Sequence, residues 1–162
     1  MSFGRAAGFT WRWGRPGPAA KEAQVRKVAT TDVKVAAIDE MEPIHGGLAR
    51  RARATLGVSA WGMQVLTLPP DWDGYPEHSH SATAFDPNQE EVYIPLSGSA
   101  TLVAGDERFE LAPGMMARVG PEQERRIVPG PEGIRFIALG GRPGAFDAPT
   151  WTELGAPPPM PA

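Results

Sequence analysis

Hydrophobicity alternates with period two over much of residues 61–139. Trp61, Met63, Val65 and Thr67 alternate with Gly62, Gln64, Leu66 and Leu68 until Pro69-Pro70 stops the run, the signature of a β-strand. Glu91 to Leu96 predicts a second strand, ended by Ser97-Gly98. Ser99 to Val103 and Glu107 to Leu111 flank Gly105-Asp106, the turn chemistry of a tight hairpin. Ala112-Pro113-Gly114 places proline and glycine as a type II bend requires. Met115 to Val119, Arg125 to Val128 and Ile134 to Leu139 complete a set of short strands at about ten-residue spacing. This spacing predicts an all-β sandwich or barrel. Helix is scarce. Leu48 to Arg53 fits one helical turn, and Arg51 to Leu56 fits an edge strand equally well.

The ends lack this alternation. Residues 1–23 are rich in Gly, Pro, Ala and Arg around isolated Trp11 and Trp13, and read as an arm outside the fold. Residues 155–162 hold four prolines in an extended tail, which leaves 24–154 for the barrel. A length of 162 residues fits one domain. The 19 glycines and 18 prolines, in a chain that alternates, indicate many turns rather than disorder.

Charge and composition narrow the partners. A net charge of −3 and a pI near 5.6 lack the basic footprint of a nucleic-acid binder. No apolar run approaches the roughly 18 residues of a membrane span, and the N-terminus lacks the apolar core of a signal peptide. Zero cysteines exclude a disulfide scaffold and a thiolate metal site. The expectation is a cytoplasmic protein with no nucleic-acid or membrane partner.

The chemistry gathers in one stretch, Gly74-Tyr-Pro-Glu-His-Ser-His80. His78 and His80 are two apart and on a strand would face the same way, as two ligands of one metal must. Glu90 and Glu91 follow a polar, proline-containing insert, and Glu91 opens a strand. It is the natural third ligand, a hard oxygen beside two imidazoles. Tyr93 lies two residues further on and faces the same interior; it is a candidate proton donor, though a core tyrosine with a satisfied hydroxyl is the simpler reading.

These residues give the chain a resemblance to the cupin superfamily. Gly74, His78, His80, Glu91 and Gly98 match that family's first motif in order, and Gly105, Pro113 and Gly114 match its second. Ten residues, Ser81 to Glu90, separate His80 from Glu91, where the family has three or four. The resemblance covers roughly residues 60–140. It implies a double-stranded β-helix, a small jelly-roll barrel with metal ligands pointing into its mouth. The family's last ligand, a histidine, falls at position 125, and this chain has Arg125 there. A guanidinium carries a permanent charge and no acceptor, so it does not ligate a cation.

Three arrangements follow. His78, His80 and Glu91 hold the metal as a two-histidine, one-carboxylate set with open positions, and Arg125 anchors an anionic substrate beside it. Alternatively, Arg125 takes the metal's place and pairs with Glu91. Or Arg125 faces outward and says nothing. The leading expectation is a metal-dependent enzyme, oxygenase- or isomerase-like, acting on a small anionic molecule. Its cofactor is a divalent ion, with iron, zinc, manganese, nickel and copper undistinguished. The rival is a noncatalytic, ligand-binding cupin without metal. A small barrel protects its edge strands by pairing, so a homodimer is expected.

Other residues are weaker candidates. His45 precedes the barrel and reads as a surface loop histidine before a replacement ligand. Trp61, Met63, Met116 and Phe136 fit either a small apolar pocket or ordinary core. The 81–89 insert, with Phe85 midway, fits a lid or a solvated loop.

Overall fold

The computed structural model describes residues 32–81 and 86–145; the arm, the tail and Phe85 lie outside the described residues. Seven strands, all paired antiparallel, form the sheet: β1 (Pro43–Ile44), β2 (Ala49–Arg50), β3 (Gly62–Leu68), β4 (Glu90–Ala104), β5 (Glu107–Leu111), β6 (Ala117–Val119) and β7 (Arg126–Gly141). Their order is β1-β2-β3-β7-β4-β5, with β6 on β4. The one α-helix among the described residues is α1 (Ala52–Leu56). No helix there is long and apolar enough to cross a membrane.

The backbone of the fold is the long ribbon of β4 and β7, paired from Glu90 opposite Gly141 to Val103 opposite Arg126. Sequence alternation predicts four short strands here; the structure has two long ones. Ser97-Gly98 does not end a strand. It is a bulge, with register shifts on either side and Gly98 at φ 71°. An extra residue in a strand exchanges its two faces. Odd-numbered Glu91, Tyr93 and Pro95 point inward before the bulge, and even-numbered Ala100 and Leu102 after it. The same exchange occurs on β7, where inward Ile127 and Pro129 give way to Ile134 and Phe136. The ribbon thereby bends over itself and encloses one core, formed by Leu68, Tyr93, Leu102, Leu111, Val119, Ile127, Ile134 and Phe136.

The hairpin and the bend predicted from turn residues are both present. Ala104 faces Glu107 across Gly105-Asp106, and Met115 donates to the Ala112 carbonyl around Pro113-Gly114. The segment at 49–56 reverses the two readings that its sequence fits: the strand falls where one helical turn is expected, and the helix where an edge strand is. Ala49 and Arg50 form a short strand between β1 and β3, and Ala52 to Leu56 the helix. Ala52 and Leu56, four apart on one helical face, pack against Met41 and Val65 on the outer side of β3. Gly57, left-handed at φ 74°, closes the helix.

Gly98 is fixed by both conformation and space, because a Cβ there would run into the Gly133 carbonyl. Gly98→Val is expected to cost about 2–4 kcal/mol, combining left-handed strain with overpacking. Gly114→Ala, at φ 93° with open space around it, is expected to cost about 1–2 kcal/mol, the strain alone. Urea denaturation checks the pair; equal losses would mean that the close approach at the bulge contributes nothing.

Candidate metal centre

Glu91 lies at the start of β4, held between Val119 of β6 and Gly140 of β7. The segment bearing the histidines runs outside the main sheet and docks through backbone bonds. His78 exchanges N–H···O bonds with Arg125 in an isolated antiparallel bridge, and the His80 amide donates to Pro121. This docking carries both imidazoles to Glu91. Donor atoms of His78, His80 and Glu91 all lie within 4.8 Å of one another. The rings of the two histidines stand edge to face, 5.5 Å apart. The ten-residue separation between His80 and Glu91 therefore does not pull the three apart.

The imidazoles have the chemistry of ligands. The Nδ1–H of His78 donates to the Pro76 carbonyl at 3.0 Å, which leaves Nε2 with its lone pair. Both ring nitrogens of His80 are buried with no hydrogen-bond partner among the described residues. A buried polar atom left unpaired costs stability unless something outside the chain satisfies it. His80 Nε2 stands 3.4 Å from Glu91 Oε2. Two ligands about 2.0–2.1 Å from one tetrahedral ion are themselves about 3.4 Å apart. Burial holds the His78 imidazole below its ordinary pKa, keeping it neutral and able to donate its lone pair.

Arg125 does not face outward. Its residue exposure is 0%, and every nitrogen has an acceptor. Nε donates to the Tyr93 oxygen at 3.2 Å, Nη1 to the carbonyls of His78 and Gln123, and Nη2 to Glu91 Oε2 at 2.5 Å. Tyr93, also fully buried, donates its hydroxyl to the same Oε2 at 2.5 Å and packs edge to face on Phe136. Arg125, Tyr93 and Glu91 thus close a ring of hydrogen bonds. Burial alone would raise the Glu91 pKa, but the bonds from Tyr93 and Arg125, with the Arg125 charge, hold it below the usual carboxylate value. Burial and the nearby charge of Glu91 push the Tyr93 hydroxyl up, so it stays protonated and donating. The guanidinium meets protein acceptors and does not line the cavity over the site.

That cavity, about 810 Å³, has His78, His80 and Glu91 in its wall, a volume in the range of small-molecule sites. Met63, Leu66 and Tyr75 give it an apolar side, while Arg51, Arg53 and Gln64 give it a polar one. Of the four residues grouped as pocket or core, Met63 lines the cavity and Phe136 is core, whereas Trp61 and Met116 are exposed. His45 is exposed and outside the ligand group. Sequence reading missed Gln89, Arg53 and Tyr75. Gln89 lies against the facing pair Gly62 and Gly140, where a Cβ on Gly140 would collide with its amide. Two glycines opposite each other on neighbouring strands are the sequence trace of such a close approach, but their pairing is visible only once β3 and β7 are in register.

No family model matches the chain, and no curated protein matches it. Solved structures do. A cupin protein from Bacteroides fragilis is 20% identical, with a TM-score of 0.58 over 76% of this chain and 95% of that one. A cupin-2 domain protein from Shewanella frigidimarina is 16% identical, with a TM-score of 0.42 over 52% of this chain and 74% of that one. A cupin-superfamily sugar phosphate isomerase from Silicibacter pomeroyi is 18% identical, with a TM-score of 0.47 over 58% of each chain. The first of these likenesses, together with the bent antiparallel ribbon and the inward-facing His-His-Glu group, gives this chain the cupin fold.

Proposed function

We propose that the protein binds a divalent metal through His78, His80 and Glu91 and acts on a small organic molecule held in the adjoining cavity. The observation that carries this reading is His80, whose two buried nitrogens have no hydrogen-bond partner among the described residues while a ligand atom of its ring lies within 4.8 Å of those of His78 and Glu91. The metal, once bound, would supply Lewis acidity or redox chemistry at its open positions, suited to isomerase- or oxygenase-type turnover. The chain's own residues prepare the site. Tyr93 and Arg125 fix the Glu91 carboxylate in one orientation and keep it ionised. His78 is fixed in the tautomer that exposes Nε2 by the Pro76 carbonyl. Arg125 acts here as a positioning residue rather than as the anchor of a substrate, because its donors are occupied by protein and it is sealed from the cavity.

One observation favours a second reading, a metal-free binding module. The Arg125 guanidinium, against Glu91 Oε2, already neutralises the carboxylate. Metal per chain separates the two. After loading with iron, zinc, manganese, copper or nickel, the wild type is expected to retain about one ion, and His78→Ala and Glu91→Gln to retain none. A wild-type value near zero for all five metals would leave the binding module.

Both readings make Arg125 necessary to the barrel. Arg125→Met leaves Glu91 buried without its charge partner, and a loss of about 3–5 kcal/mol is expected in urea denaturation of the metal-free protein. A loss under about 1 kcal/mol would show that Glu91 finds water or another donor.

Acid weakens the metal-free fold in two steps. Burial lowers the His78 pKa from 6.5, so as pH falls past 6.5 the unfolded chain takes a proton that the folded one refuses, and stability drops. The Glu91 pKa, lowered from 4.5, contributes stability above 4.5 that disappears as pH falls through the folded value. Denaturation between pH 7.5 and 4 is expected to show the first drop in wild type and not in His78→Gln. Parallel curves for the two proteins would contradict a protected His78.

A further inference from the structure

The cavity over the His-His-Glu group reaches a second cluster of polar side chains on α1 and the loop after it. Arg53, in α1, is part of this wall. Its guanidinium is held by the chain immediately following the helix: Nε donates to the Val58 carbonyl at 3.1 Å and Nη2 to Ser59 at 3.4 Å. Gly57, left-handed, turns the backbone so that those carbonyls return to the side chain. The fork is thus oriented with Nη1 outside these two bonds. Among the described residues Arg53 forms no ion pair, whereas Arg51 pairs loosely with Glu42 at 3.6 Å, and Arg118, Arg125 and Arg135 each have a carboxylate partner.

The other charges of the cavity wall leave Arg53 available. Glu91 faces it, but Arg125 cancels that charge from behind. With Arg51 likewise met by Glu42, Arg53 and Asp86 are the wall charges left, and they do not pair with each other. A dication held by the two imidazoles would add positive charge to this wall, since the Glu91 carboxylate is already shared with Arg125.

We infer that Arg53 is the specificity residue for an anionic group, so that the cavity takes small organic anions bearing a carboxylate or phosphate. A guanidinium binds either group through paired N–H donors, and one held in advance by backbone carbonyls loses less freedom on binding. The inference rests on the proposed small-molecule function but not on turnover, and Arg53 is distant in sequence from the metal ligands. It also moves anion recognition from position 125 to position 53, from the barrel's last motif to its first helix.

The test is calorimetric titration of zinc-loaded protein with linear dicarboxylates from malonate to adipate, glycerol phosphate, and the diamides matching the dicarboxylates. At least one anion is expected to bind, with its neutral counterpart at least about tenfold weaker. Arg53→Met is expected to lose about tenfold or more in affinity for that anion with zinc per chain unchanged, and Arg53→Lys to lose less. Dicarboxylate against phosphate in the series identifies which anionic group is taken. Binding of no anion, equal binding of a diamide, or unchanged affinity in Arg53→Met would each overturn the inference. If Arg53→Met does not fold, Arg53→Lys binding as tightly as wild type would overturn it, because a point charge would then serve as well as the fork. Should wild type retain no zinc, the metal reading fails by itself, and the same titrations on the metal-free protein still read the dependence on Arg53.

Discussion

Everything at the mouth of this barrel depends on one buried charge pair. Glu91 is brought inward by the pleat of β4, where an ionised carboxylate is costly without compensation. Arg125 supplies it at 2.5 Å while being fully enclosed itself. Neither charge would be tolerable at this depth alone. Tyr93 completes the arrangement by donating to the same oxygen and accepting from the same guanidinium. The pair also has a mechanical role, since Arg125 exchanges backbone bonds with His78 and donates Nη1 to its carbonyl. Arg125 therefore ties a carboxylate on one strand to a histidine on a segment outside the sheet.

Much of the fold was legible because period-two alternation and turn residues are local signals. The 62–68 strand, the hairpin at Gly105-Asp106 and the bend at Pro113-Gly114 are each set within a few residues. The bulge at Ser97-Gly98 was misread as an ending because a glycine that bends a strand and one that stops it look alike in sequence. Only the facing Gly133, which crowds the same point, distinguishes them. The helix at Ala52–Leu56 was ambiguous for another reason. Its apolar positions, Ala52 and Leu56, fit either period over so short a span, and packing against Met41 and Val65 decides between them.

The site divides along the same line. His78, His80 and Glu91 were readable as a group because spacing and residue type sufficed, and their donor atoms do converge. Tyr93 was placed on the correct face by counting along its strand. The environment of Arg125 was not readable. Sequence gives its charge and its position, but whether it points to solvent, to substrate or to Glu91 depends on which strands close the barrel. Arg53 had no signal at all, since nothing local marks a helical arginine as wrapped by its own following loop.

The histidine segment has a kinetic consequence. Among the described residues, the backbone of His78 and His80 is fastened by the two-bond bridge of His78 to Arg125, one bond from His80 to Pro121 and one from Asn88 to His80. The long ribbon of β4 and β7, by contrast, is paired along most of its length. Segments with so few backbone bonds detach at much lower free energy than the sheet they rest on. Anything held jointly by the histidines and Glu91 would then leave on the timescale of that local detachment, well before the barrel opens. Residence time at the mouth would be set by these four backbone hydrogen bonds rather than by the stability of the whole domain.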